Sequence, residues 1–297
     1  MSNTAVNLSG LPMPAVVQVL SIEQIVADAK AELIVLDPAL APFLQLESDP
    51  LVKLIQVFAM REFAMRQRVN DASRANMLAY AVGSDLDHRG ADWGLARLVL
   101  VPANAQTGAA AVMESDDDFR DRILLAPEAL SVAGPEGAYR SLARNASGDV
   151  LDASCTSPSP GQVVVTVLSR SNGGIPAAPL LALVNAAVSA DDKRPLTDHV
   201  VVAPAEVLTY AVEAEITTFP GPDAEVVRSE AVGRLQKYVS DSFRLGRDVT
   251  LAKIYAALAG EGVQDVHLVT PAANIITTEL QAARCTGVQV THSGTDT

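Results

Sequence analysis

Rings and thiols are what this sequence has least of. Aromatic residues fill 4% of the 297 positions, with a single tryptophan, which leaves few platforms on which a base or sugar can stack. Only Cys155 and Cys285 are present, far apart and in no CxxC arrangement. They read as reduced thiols, with one long-range disulfide as the alternative. Positive charge is also in short supply: 22 Lys and Arg stand against 35 Asp and Glu, a formal net charge of -13. Phosphate binding needs clustered cations that release counterions, so nucleic acid is not an expected partner. No apolar run is long enough to span a bilayer, so no membrane contact is expected. No basic stretch leads into an apolar one at the start, which gives no signal peptide to read.

The motifs of catalysis are missing as well. His88, His199, His267 and His292 lie in distant segments with no HxxxH spacing, which a hydrolytic zinc site on a helix requires. Asp116, Asp117 and Asp118 are consecutive, but no glycine-containing loop supplies further oxygen ligands; they read as the acidic first turn of a capped helix, where unpaired N–H groups favour negative charge. No GxGxxG or GxxxxGK[ST] cradles a phosphate, and no serine sits in a small-residue elbow. Glu114, Glu128 and Glu136 suggest a glycosidase pair only if a sugar platform exists, and aromatics are too few for one. No metal and no cofactor is expected. The remaining enzymatic alternative is a hydrolase-like site assembled in space around Asp116–Asp118, His199 or His267.

Helical signals dominate the first third. After a loose arm over 1–20 containing Pro12 and Pro14, Ser21 and Gln24 form a capping box, and Ile22, Ile25, Val26, Ala29 and Leu33 recur at helical spacing until Pro38. Asp49 is placed to cap the next helix, with Pro50 at its first position. Along it Leu51, Leu54, Ile55, Phe58, Met65 and Val69 line one face, and Val52, Ala59 and Phe63 widen it onto a second side. Two further helices are expected, one through "SRANMLAYAV" and one restarting after Gly83 with Ser84 and Asp87 as a capping box, giving four helices and no strand between Ile22 and Trp93. An apolar surface on two sides of one helix needs a cover from elsewhere.

The stretch "LVLVPANAQTGAAAV" begins as a strand and continues as a linker. Ser115 then caps a helix with Phe119 and Ile123 inward. From Pro135 the pattern becomes α+β. A helix with Tyr139, Leu142 and Ala146 inward leads to a hairpin turning around Pro158–Gly161, then to a helix over "APLLALVNAAVSA" and a strand near "DHVVV". The last third starts with a strand through Val207, Tyr210, Val212, Ala214 and Ile216. A long helix ends by Gly246, a second helix follows, and strands "VQDVHLV" and "CTGVQVTH" precede a frayed polar tail. "Helix, Gly, strand, Pro turn, strand" occurs twice, from Tyr139 and from Ile254, a weak internal repeat. The fold class is therefore α+β and multidomain: a helical bundle segment over 1–100 and two small mixed α/β domains over 101–204 and 205–297.

Arginine outnumbers lysine in two places, Arg61, Arg66, Arg68 and Arg74 on the second helix and Arg228, Arg234, Arg244 and Arg247 around the long later one. Planar guanidinium groups suit protein interfaces; a solvated face remains equally open.

The stretches "LESDPLVKLIQ…REFAMRQRVNDASRANMLAYAVGSDLDHRGADWGLAR", "ESDDDFRDRI…EALSVAGPEGAY", "TSPSPGQVVVTVLSR" and "PGPD…RLGRDVTLAKIYAAL…GVQDVHLVTP" are long and ordered, and through them the chain resembles the baseplate J-like proteins of contractile-tailed phages and phage-tail-like bacteriocins. The resemblance covers nearly the whole chain and implies a structural role, with no enzyme. It implies that two copies in different conformations join one subunit resembling protein I in a wedge, and that six wedges surround a central hub and spike. The early helices would enter an intersubunit bundle, the later domains would link neighbouring wedges into a ring, and a lysozyme-like wedge protein would be contacted towards the sheath. The implied place is the tail baseplate of a virion or tailocin, assembled in the host bacterial cytoplasm. On that footing Leu51, Leu54, Ile55, Phe58 and Phe63 are expected to bury against partner helices, with Arg61, Arg66, Arg68, Arg74, Arg244 and Arg247 as further interface candidates. The alternative is that the apolar set forms the core of a private four-helix domain.

Overall fold

The structure, a computed structural model, describes residues 21–131, 133–221 and 223–296 together with Leu8, Pro12, Val16 and Gln18. The expected loose arm over 1–20 otherwise lies outside the described residues. By their packing the residues fall into two units, Met1–Ala96 and Arg97–Thr297.

The first unit holds α1 (Ile22–Leu36), α2 (Pro50–Ala75) and α3 (Gly83–Ala91). Ser21 Oγ accepts from the Gln24 amide (3.1 Å) as its position requires, but the Gln24 side chain donates forward to Asp28 Oδ1 (2.8 Å), so only half of the expected box forms. Asp49 Oδ1 caps α2 through the Leu51 amide (2.8 Å). Between Ile22 and Trp93 the described residues form three α-helices instead of the four expected. The Asn76 side-chain amide takes the Ala72 carbonyl (2.9 Å), an acceptor that a continuing helix needs for its own backbone, and 76–80 becomes a turn. Gly83 adopts φ 53 and itself opens α3 behind Val82, so Ser84 falls inside the first turn and the expected box at Ser84 and Asp87 does not form.

The second unit begins with an antiparallel ribbon, β1 (Val99–Val101) and β2 (Val112–Met113), so the expected linker is the loop and return arm of a hairpin. Then come α4 (Asp116–Leu125), capped by Ser115 Oγ on the Asp118 amide (3.2 Å), and α5 (Glu136–Ala146). β3 (Val150–Ser159) and β4 (Gln162–Ser169) form the expected hairpin. α6 (Ala178–Val188) carries the chain to β5 (His199–Pro204), parallel to β4. Tyr139, Ala143, Leu180, Val184 and Val188 of the two helices pack on Val163, Val165 and Val167.

The second sheet follows as β6 (Glu206–Thr218), α7 (Ala224–Ser242), α8 (Leu251–Leu258), β7 (Val263–Thr270) and β8 (Gln281–Thr295), with order β7-β6-β8. Tyr210, Val212, Ala214 and Ile216 alternate inward along β6, meeting Val227, Ala231 and Leu235 at four-residue steps of α7 and Ile254 and Leu258 of α8. The weak repeat does not become a repeated hairpin, because β6 lies between β7 and β8 whereas β3 and β4 pair directly. The tail expected to fray is strand through Thr295, paired with Thr218.

A seam joins the two sheets. Leu151 and Leu168 are buried with Ala205 and Ala282, and Val207, Phe243 and Leu245 pack against them. Ser154 Oγ donates to the Glu279 carbonyl (2.5 Å) and the Leu245 amide to Asp152 Oδ2 (3.1 Å). Ala205, the residue between β5 and β6, belongs to this shared core.

Candidate functional site

Helix α2 separates its apolar residues into two faces. The inward face is Val52, Ile55 and Ala59, which meet Leu44, Val26, Ala29 and Leu33; small and branched side chains let the α1 backbone approach closely. Ile55, at 7% exposure, is spent on this core. Leu51 and Phe63 are half-buried. The outward face carries Leu54, Phe58 at 58%, Met65 at 61% and Val69, all exposed. With Arg61 they follow one another at steps of four, three, four and four, so they form one stripe. At 1.5 Å per residue the stripe is roughly 22 Å long.

Of the α2 arginines, Arg61 lies in that stripe and Arg68 beside it, both exposed, while Arg66 and Arg74 lie on other sides of the helix. Arg66 clasps Glu62 Oε1 through Nε (2.8 Å) and Nη2 (2.7 Å), and Arg74 pairs with Asp71 (3.3 Å). Exposed pairs of this kind contribute a few tenths of a kcal/mol, so their orientation along the helix matters more than their stability.

The later arginines divide. Arg247 is exposed and donates to the Asp241 carbonyl (2.7 Å). Arg244 is committed internally: Asp118 receives its Nη2 (3.3 Å) and that of Arg170 (3.0 Å), so one carboxylate ties α4 to the end of β4 and to the segment after α7.

Sequence reasoning missed a buried charge cluster at the start of the second unit. Glu114, directly after β2, is paired with Arg122 of α4; both are at least 95% buried as side chains. Glu114 Oε1 also accepts the Leu98 amide (3.2 Å), and its carbonyl accepts Arg97 Nη1 (3.1 Å). Arg122 donates from Nε to Asn145 (2.8 Å), and Arg97 pairs with Asp116 (2.6 Å). Both guanidiniums lie over the Phe119 ring, that of Arg97 5.1 Å and that of Arg122 5.6 Å from its centroid. No spacing rule announces such a pair, since its members meet only once α4 folds back on the ribbon.

The alternative catalytic set does not converge. Asp116 and Asp118 are engaged as above, Asp117 pairs with Arg120 (2.7 Å), and His199 and His267 are exposed on strands of different sheets. Among the described residues no three His, Cys, Asp or Glu side chains group to hold a metal ion. No described helix is long and apolar enough to cross a membrane. Cys155 and Cys285 are unlinked and half-buried. Burial, with Glu136 and Asp198 nearby, pushes the Cys155 thiol up to about 12. Since the thiolate is the nucleophile, Cys155 is expected to alkylate with iodoacetamide at pH 8 on the order of 1,000-fold more slowly in the folded chain than in urea; equal rates would contradict the burial.

Three family profiles match in order: the Baseplate J-like N-terminal domain over residues 47–104, the Baseplate J-like central domain over 131–204, and the Baseplate J-like protein C-terminal domain over 210–291. The chain is 47% identical over 298 aligned residues to Baseplate protein J of Escherichia phage P2, covering 98% of this chain and 99% of that protein. A solved chain in the six-fold symmetrised baseplate of the anti-feeding prophage aligns at 15% identity with a TM-score of 0.38, over 59% of this chain and 43% of its own length. Three ordered domain matches and a full-length relative lead to one conclusion: the chain belongs to the baseplate J-like family.

Proposed function

We propose that the chain is a non-enzymatic structural component of a contractile-tail baseplate wedge and that the outward stripe of α2 is one of its docking faces. The observation that carries this is Leu54, Phe58, Met65 and Val69 exposed in line on one helix whose inner face is already filled. Burying each such side chain contributes about 1.5–3 kcal/mol, so docking the stripe against an apolar helix supplies several kcal/mol towards association. Arg61 within it and Arg68 beside it, both exposed, give the partner helix charges to match, which sets register more than affinity. The finer arrangement follows the family: two copies of the chain with one I-like subunit in each wedge, a lysozyme-like wedge protein next to it, and six wedges around the hub, assembled in the host cytoplasm.

The test is Phe58→Ser with Met65→Ser, co-expressed with the wedge partners and resolved by size exclusion. Surface changes of this kind alter the stability of the isolated chain by only about 0.5 kcal/mol, so the expected result is a folded chain that elutes alone. Undiminished wedge formation would sink the docking role of α2.

A further inference from the structure

The first unit carries seven Lys and Arg side chains, and the chain does not satisfy them equally. Lys30 pairs with Glu47 (3.4 Å), Arg66 with Glu62 (2.7 Å), Arg74 with Asp71 (3.3 Å) and Arg89 with Asp92 (3.1 Å). Lys53, Arg61 and Arg68 are left. All three are exposed on α2, and no hydrogen bond or ion pair among the described residues engages them.

The three lie to one side of the apolar stripe. At 3.6 residues per turn, Arg61 and Arg68 point about 20° and 40° away from Leu54 in one sense and Lys53 about 100°, whereas Phe58, Met65 and Val69 point about 20–60° in the other. Successive cations are roughly 10–12 Å apart along the axis. The acids of α2 are Glu62 and Asp71. Glu62 lies on the opposite flank and is held by Arg66; Asp71 shares the cationic flank, beyond Arg68, and is held by Arg74. The face is therefore apolar down its middle and positive along one edge, on a chain whose formal net charge is -13.

That edge decides between occupants. Arg61 stands midway between Leu54 and Val69, so two copies facing each other through this stripe bring Arg61 against Arg61 whichever way the helices run. Antiparallel pairing also sets Arg68 towards Lys53 of the other copy. Like charges opposed across a contact disfavour the pairing, and a guanidinium covered by an apolar surface needs an acceptor that the same face does not offer. We infer that the stripe takes an amphipathic helix of a different polypeptide, one that carries acidic side chains along the edge meeting Lys53, Arg61 and Arg68. Apolar contact with Leu54, Phe58, Met65 and Val69 supplies the affinity, and the charge pairs select the partner and its direction. This names the partner chemistry of the α2 docking face proposed above and rests on that reading.

The test uses two synthetic helical peptides with the same leucine face, one flanked by glutamates and the other by lysines, each carrying a neutral dye and titrated into the full chain by fluorescence anisotropy at low salt. The acidic peptide is expected to bind at least about tenfold more tightly. In the triple variant Lys53→Gln, Arg61→Gln, Arg68→Gln, whose exposed changes leave the thermal midpoint nearly unaltered, that preference is expected to fall below about twofold. Equal binding of both peptides to the unaltered chain would overturn the acidic partner and leave the docking face standing; binding of neither would overturn both. Self-association of the chain alone is expected to be unaffected by Phe58→Ser, and a dimer that this change dissolves would make a second copy the occupant and overturn the inference. Capture by anionic lipid vesicles, abolished in the triple variant, would assign the face to a membrane and overturn it as well.

Discussion

Glu114→Ala is expected to lower the urea-unfolding stability of the second unit by about 3–5 kcal/mol, because it strands Arg122 in the interior without its counter-charge. The carboxylate does three things at once: it neutralises a guanidinium 95% buried, accepts the Leu98 amide, and holds the last turn of α4 against the foot of the ribbon. Removing it leaves Arg122 with Asn145 as a neutral partner (2.8 Å), and a neutral amide oxygen does not offset the lost solvation of a cation. The same reasoning gives a second arm. Glu114→Met with Arg122→Leu removes both charges and keeps the volume, and is expected to return to within about 1 kcal/mol of the native stability. Added salt should alter neither value much, since buried charges are poorly screened. A loss below about 1 kcal/mol for the single variant would mean that the cluster is hydrated and does not clamp the ribbon.

Gly174→Ala is the second large effect, about 2–5 kcal/mol, from left-handed backbone strain added to overpacking. Gly174 has φ 102, and a Cβ there would sit 2.7 Å from Phe243 Cζ, 3.0 Å from Val207 Cγ2 and 3.1 Å from Leu168 Cδ1. Those three side chains belong to the seam between the sheets, so the variant pushes the seam apart and leaves either sheet's own core intact. The expected signature is a single unfolding transition of the second unit that becomes two. One transition at an unaltered midpoint would show that the seam is soft enough to absorb a methyl group and that the sheets are not mechanically joined there.

The elements most legible in the sequence were those whose signals are local. Ser21, Asp49 and Ser115 cap where their spacing places them, Tyr139 turns inward, and β6 is the one long strand expected. Failures came where a distant or competing group decides. Asn76 ends α2 with its side chain, and Gly83 starts α3 one residue ahead of the serine expected to cap it. Which side of α2 faces α1 depends on how closely two backbones approach, which a count of apolar positions along one helix does not contain. The Glu114–Arg122 pair and the fit of Gly174 are also products of tertiary approach. Gly174 reads as an ordinary turn glycine until Phe243 arrives from the far side of the chain.

If apolar surface left open in the single chain is closed by other polypeptides, cryo-electron microscopy of the intact tail, at a resolution that places side chains, measures it directly. The expected result is this chain in the baseplate wedge with Leu54, Phe58, Met65 and Val69 covered by helices of neighbouring subunits. Finding the chain there with that stripe still facing solvent, or finding it outside the baseplate, would contradict it.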